Sequence, residues 1–393
     1  MSCIGSRLAW LPLLALLILS LAAPWLVAPI SSEAIAEATD EMSLESQPAL
    51  PASQRDPIPQ VEAPFWQKRS PKEHAGALSE APFVPSVTLR EPEPIAPPPL
   101  SELHIVLDWY LSPQHASLLI ARKLGYFEKQ GLNVRITVPA DPSVPTKLLA
   151  ASRIDLALGR QPQLHMQVDQ GLPLIRVATL IGRPLVMLTV RQDSDIETPA
   201  QLEGRSIGYA VDDTNAILEA MLSQFDFSLG NITLHNLNFA LSQALVQQHV
   251  DAVIAPMRHT LPLQLEEEGI VSRSFLAEEH GYPLHDGLIM MANRDHLATK
   301  RSEIQRLLVA LEEANLWMLN HPDDAWRRLV DAEPGLDTTV NRRAWRETLS
   351  LLAQRPSALE ARRYETLDAY LHEHGHIASR SPVERLAVDL HSR

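Results

Sequence analysis

The sequence predicts an α/β protein of two lobes joined by a hinge, placed behind an N-terminal export segment and a proline-rich spacer. Three observations predict it. Short apolar strands alternate with helical stretches from residue 103 onward. The strand pattern restarts at Ser206 after a turn-rich link at 192–204, and a late apolar strand at 288–292 crosses back. Prolines, 31 in 393 residues, crowd the chain ahead of that body.

Taken in order, Arg7 precedes an apolar run at 8–30 broken by Pro12, Pro24 and Pro29. Ala34-Ile-Ala36 and Ala36-Glu-Ala38 then offer small residues for cleavage, so 1–38 reads as a signal peptide. The apolar run is also about long enough to span a bilayer, which keeps an uncleaved anchor open. Residues 39–100 carry Pro57-Ile-Pro59, Pro92-Glu-Pro94 and Pro97-Pro-Pro99 with no period of 3.6 or 2. Proline fixes φ and removes a donor, so this segment reads as a disordered tether.

In the body, 104–108 is an apolar strand ending in Asp108, and 113–124 is a helix with Ala116, Leu119, Ile120 and Leu124 on one face. Gly125 stops that helix. Strands are expected at 132–138, 154–158 and 185–190, with a helix at 144–152. The second series has strands at 206–210, 233–237 and 250–254 and helices at 213–225 and 240–248. Beyond Arg301 the pattern is helical, through Ile304, Leu307, Leu308 and Leu311 to Trp317. Such alternation predicts largely parallel sheets, with lobe 1 from 101–191 and 289–393 and lobe 2 from 192–288. Ligands of open α/β sheets bind outside the carboxyl ends of strands, so the expected site is the cleft between the lobes.

Composition excludes several functions. There are 34 basic and 48 acidic side chains, a formal net charge of −14, and hydrophobic residues make up 45%. An acidic chain lacks the basic stripe that meets phosphates, so nucleic acid is not an expected partner. The single cysteine, Cys3, excludes an intramolecular disulfide, a thiolate zinc site and an iron–sulfur cluster. No GxSxG elbow, Walker loop or HExxH motif is present. His372-Glu-His374-Gly-His376 superficially suggests a metal, but its place before and after Gly375 reads as a helix end.

Leu107-Asp-Trp109, His115-Ala116 and the run from Gly125-Tyr-Phe to Val134 resemble the opening of the NMT1/THI5-like periplasmic solute-binding proteins. The resemblance continues in Gln161-Pro-Gln-Leu164, in Thr198-Pro-Ala-Gln-Leu-Glu-Gly204, in Gly281-Tyr-Pro283 and in Met291-Ala-Asn-Arg-Asp295. It implies a type II periplasmic-binding-protein fold, a periplasmic location and a monomer that delivers its solute to an ABC permease of the inner membrane. Asp-Trp and Gln-Pro most resemble the branch that binds thiamine pyrimidine precursors. Other branches bind sulfonate, taurine or nitrate, and a tethered sensor of the same fold is a further alternative. Ser112-Pro-Gln-His115 stands where the family commonly has Asn before the His, and His285-Asp286-Gly287 alters the acidic position after Gly-Tyr-Pro.

A flat heteroaromatic ring needs an aromatic face and a few edge donors and acceptors. The candidates are Trp109 for stacking, Asp108 for an exocyclic amine, His115 at the helix start, and Gln161 for a ring nitrogen. Tyr209 is placed to close over the ring from lobe 2, and Asp286 to add a carboxylate or a hinge bond. Arg160 is expected in an exposed ion pair. No cofactor, metal or catalytic residue is expected. The family's pyrimidine-synthesising enzymes use a lysine-bound pyridoxal phosphate and a cysteine-rich iron motif, whereas no lysine occurs here between Lys147 and Lys300.

Overall fold

The computed structural model describes residues 100–390. The expected export segment at 1–38, and all of the spacer but Leu100, lie outside them. The first sheet takes β1 (Ser101–Val106), β2 (Leu132–Thr137), β3 (Leu156–Gly159) and β4 (Leu174–Ile181). Between them run α1 (Ala116–Lys123), α2 (Tyr126–Lys129), α3 (Pro145–Ala150) and α4 (Gln161–Asp169). The second sheet takes β5 (Met187–Arg191), β6 (Ser206–Tyr209), β7 (Thr233–Asn236), β8 (Ala252–Ala255) and β9 (Ser272–Leu276). Its helices are α5 (Asp213–Ser223), α6 (Leu241–Val246) and α7 (Leu261–Glu267). β10 (Leu288–Asn293) then precedes α8 (Leu297–Asn320), α9 (Pro322–Ala332), α10 (Thr339–Leu351), α11 (Ala361–Glu373) and α12 (Val383–Leu386).

The strand orders are β2-β1-β3-β10-β4 and β7-β6-β8-β5-β9, so both lobes follow one plan. In each, parallel pairs join the first strands, while the strand arriving from the other lobe is inserted antiparallel: β10 between β3 and β4, β5 between β8 and β9. The sheets are therefore mixed and not largely parallel. A chain that leaves one lobe at the carboxyl edge of its sheet enters the other at that same edge, and must run away from it. β5 was expected in lobe 1, but it is hydrogen-bonded only within the second sheet, so the first crossover is 182–186. β4 and β9 were not anticipated, nor was α4.

β10 is buried along its whole length, as a central strand covered on both faces must be. Ile304, Leu307, Leu308 and Leu311 of α8 recur at helical spacing and face the same core as Leu103, Ile105 and Leu119. The second lobe's core gathers Leu188, Ile207, Ile217, Met221 and Ile254. Leu367 and Leu371 of α11 join that second core, although the C-terminal segment was expected in lobe 1. Tyr364, one turn earlier, packs with Val106 and Ile289 of the first lobe. α11 thus straddles the two. Among the described residues no helix is long and apolar enough to cross a membrane.

The two crossovers touch. The Gly287 amide donates to the Ile181 carbonyl at 2.9 Å. A Cβ on Gly287 would overlap the Arg183 carbonyl oxygen, which is backbone and has nowhere to yield. Gly287→Ala is expected to lower unfolding free energy by about 3 kcal/mol in urea titrations, at the upper end of overpacking costs. Gly335→Ala, which meets open space, is the control and should change stability little.

Candidate functional site

The carboxyl ends of β1, β3 and β6 bring Asp108, Arg160 and Asp213 to one buried place between the lobes. Ser112 is extended at the start of a short 3-10 turn, Pro113 takes the next position, and His115 reaches back so that its Nδ1 accepts the Ser112 amide at 3.2 Å. An accepting Nδ1 leaves the hydrogen on Nε2, which donates to Asp108 Oδ1 at 3.0 Å. Both side chains are buried. His115 thereby fixes Asp108 as an acceptor.

Arg160 was expected in an exposed ion pair, and the structure corrects this. It is buried, and its Nε and one terminal nitrogen donate to the two oxygens of Asp213, each at 2.9 Å. Its other terminal nitrogen lies 4.0 Å from Asp108 Oδ2. Burial alone would lower the guanidinium's pKa, but Asp213 and then Asp108 outweigh it and the pKa rises. Asp213 opens α5, where a carboxylate meets the positive end of the helix dipole.

Trp109 is buried among residues of the second lobe, including Met187, Ala210, Leu241 and Met257. Phe239 meets it edge to face with centroids 4.7 Å apart, and Tyr110 lies 5.7 Å away. The Trp109 indole N–H makes no well-aligned hydrogen bond among the described residues, its polar neighbour being the Tyr110 hydroxyl. Tyr209 shares with Ile207 the face of β6 turned to the other side of the sheet, so it does not pair with Trp109. The expected Trp109–Tyr209 sandwich is not formed; Phe239 holds the opposing position. A cavity of about 250 Å³ opens between the lobes, lined by Lys147, Gln163 and Gln167 on one side and Asp212, Asp213 and Asn236 on the other.

The sequence profile described as NMT1/THI5 like matches residues 112–325. A Haemophilus influenzae protein named for thiamine biosynthesis is 38% identical over 291 residues, 74% of this chain and 92% of its own length. The formylaminopyrimidine-binding protein of Halalkalibacterium halodurans is 28% identical over 258 residues, 65% of this chain and 78% of its own. This chain belongs to the NMT1/THI5-like family. Among solved structures, the periplasmic aliphatic sulphonate binding protein SsuA from Escherichia coli superposes with a TM-score of 0.58 at 17% identity, over 72% of this chain and 96% of that one. At that identity the likeness carries the fold, that of periplasmic binding proteins.

In this member of the family, Gln161 and Asp286 are brought together and bond to each other. Gln161 Oε1 accepts the Asp286 amide at 2.8 Å and its nitrogen meets His165 Nε2 at 3.3 Å. Asp286 accepts from Thr179 at 2.7 Å, Arg363 at 2.6 Å and Tyr364 at 3.3 Å. His165 Nδ1 in turn meets Asp368 at 3.1 Å. These groups fasten β4, α4, the return crossover and α11 to one another, and their hydrogen-bonding capacity is used in doing so. Sequence reasoning missed Asp213 and Phe239, and it left out Tyr282, whose buried hydroxyl is unpartnered among the described residues. Burial, then Asp213 and Tyr370, push the Tyr282 hydroxyl well above the ordinary phenol value. No three His, Cys, Asp or Glu side chains among the described residues converge on a possible metal site. His374 instead stacks on Tyr370, and His376 faces Glu219 at 3.7 Å.

Gln161→Ala strands the Asp286 amide and loses the His165 contact, so it should cost about 2 kcal/mol of stability in the ligand-free chain, read by chemical denaturation. Acid should act with a defined sign. Burial lowers the pKa of His165, His259 and His285 below the ordinary imidazole value of 6.5. The unfolded chain then binds protons first, so the stability these neutral imidazoles contribute is present above pH about 6.5 and falls progressively below it. His165→Gln should flatten that fall in denaturation midpoints measured across pH 4.5–7.5, an estimated window set by the same imidazole titration.

Proposed function

We propose that this protein is an exported solute-binding protein that encloses a flat aminopyrimidine of the thiamine-precursor class and delivers it to an ABC importer. The observation that carries the reading is the placement, on consecutive buried residues after β1, of an acceptor carboxylate on Asp108 held by His115 and of an indole N–H on Trp109 that makes no well-aligned hydrogen bond among the described residues. Phe239 and Tyr110 supply aromatic surface beside them. Such a setting suits a planar ring with mixed donors and acceptors on its edge. The two thiamine-related relatives support the same ligand class.

A sulfonate or nitrate fits less well. Anions bind helix N-termini through free amides and the helix dipole. Here Asp212 and Asp213 stand at the N-terminus of α5 and present negative charge to the interlobe cavity. The chemistry of the family's synthases also lacks its parts: the chain has one cysteine, Cys3, and Lys147 is the sole lysine lining the interlobe cavity, at its exposed rim. We therefore read the protein as a binder without catalytic activity, monomeric and resident in the periplasm.

A ligand that binds only the folded chain raises its melting temperature by mass action. In thermal-shift and calorimetric titrations, hydroxymethylpyrimidine or its formylaminomethyl relative should bind, while taurine and nitrate should not. Trp109→Ala should abolish the pyrimidine response with little change in the unliganded far-UV spectrum. A response to taurine or nitrate alone would overturn the ligand class, and silence across the panel would overturn the solute-binding reading.

A further inference from the structure

The buried ion pair across the cleft has no counterpart in the binding scheme above, which needs Asp108 free to meet a solute. Arg160 comes from lobe 1 and Asp213 from lobe 2, and both are removed from water. Asp213 also lines the interlobe cavity, so a solute entering there meets the same carboxylate that Arg160 holds. The guanidinium is a planar N–C–N unit edged with N–H donors. A 4-aminopyrimidine carries the same planar N–C–N unit, with its exocyclic amine as the donor. Asp108, its first oxygen held by His115, turns its second oxygen toward Arg160 across 4.0 Å, beyond hydrogen-bond reach.

We infer that Arg160 is a built-in surrogate ligand: its guanidinium bridges the lobes between Asp213 and Asp108, holds them shut without solute, and must yield before an aminopyrimidine can be enclosed. The inference rests on the proposed function for the identity of the competing solute, but its closure claim does not. In the closed state, loss of the guanidinium leaves Asp213 buried and unpaired, which is strongly unfavourable. In an open state both groups are hydrated and the loss costs little. Deleting Arg160 therefore moves the ligand-free population toward open lobes. A free guanidinium compound can refill the vacated space, because the fork that meets Asp213 needs no tether.

The test uses the full chain with Cys3→Ser and spin labels on Gln170→Cys and Asn236→Cys, exposed residues on opposite rims of the interlobe cavity. Distances are read by double electron–electron resonance without solute. The wild-type background should give one short distance. Arg160→Ala should give mainly a longer one, and millimolar methylguanidinium should restore the short distance in that variant while leaving the parent unchanged. Asp213→Asn should also lengthen the distance, with no restoration. A parent that is already open, an Arg160→Ala chain as closed as the parent, or an open one that methylguanidinium does not close would each overturn the inference. If Arg160→Ala fails to fold, Arg160→Lys carries the test: one ammonium cannot reproduce the planar fork, so a distance equal to the parent's refutes the surrogate. Failure of the parent to bind pyrimidines would leave these distances untouched, so the two readings fail separately.

Discussion

The bidentate pair between Arg160 and Asp213 organises the cleft because its two halves belong to different lobes and neither tolerates burial alone. A buried pair adds little net stability over a well-packed apolar contact, since desolvation offsets most of its attraction. What it does supply is a single geometry. With both oxygens of Asp213 and two nitrogens of Arg160 engaged, the carboxyl edge of β3 can meet the start of α5 in one register only. Trp109 is then carried into the second lobe's aromatic cluster, and the interlobe cavity takes the shape described.

The hinge side obeys a different logic. There the polar groups are saturated: Asp286 holds three side-chain donors, Gln161 is engaged at both ends of its amide, and buried Arg176 donates to the Ser357 carbonyl at 3.0 Å and to the Pro356 carbonyl at 3.1 Å. Saturated networks are rigid and specify one arrangement. Trp109 and Tyr282, buried in the second lobe's apolar clusters, by contrast carry donors without a well-aligned partner among the described residues.

Much of this was legible in the sequence, for stated reasons. β2 was readable because its apolar residues alternate, β1 because its apolar run ends in Asp108, and α8 because its apolar residues recur at helical spacing. β4 was hidden by Arg176, a charge in an otherwise apolar run whose carbonyl partners lie 180 residues away or more. α4 was hidden because Pro162 sits at its second position, where a proline opens a helix as readily as it breaks one. The membership of β5 depends on pairing with β8 and β9, and composition carries no trace of a pairing partner. The site divided along the same line. Asp108, Trp109 and His115 became candidates because they follow one strand in a local motif. Asp213 and Phe239 are defined only by what they meet across the cleft.

Charge then constrains what the cleft can accept. One guanidinium faces two carboxylates, Asp108 and Asp213, so the buried cluster keeps an excess of negative charge. An anionic solute would add like charge in a place where water cannot screen it. On the proposed reading, a solute bearing N–H donors would gain from Asp108 and from any part of Asp213 that Arg160 released. The His115 tautomer reinforces this, since an imidazole that donates to Asp108 leaves the carboxylate as an acceptor and offers no competing lone pair toward it. The placement of three charges and one imidazole therefore supports the proposed donor-bearing, uncharged or cationic solute independently of any stacking on Trp109.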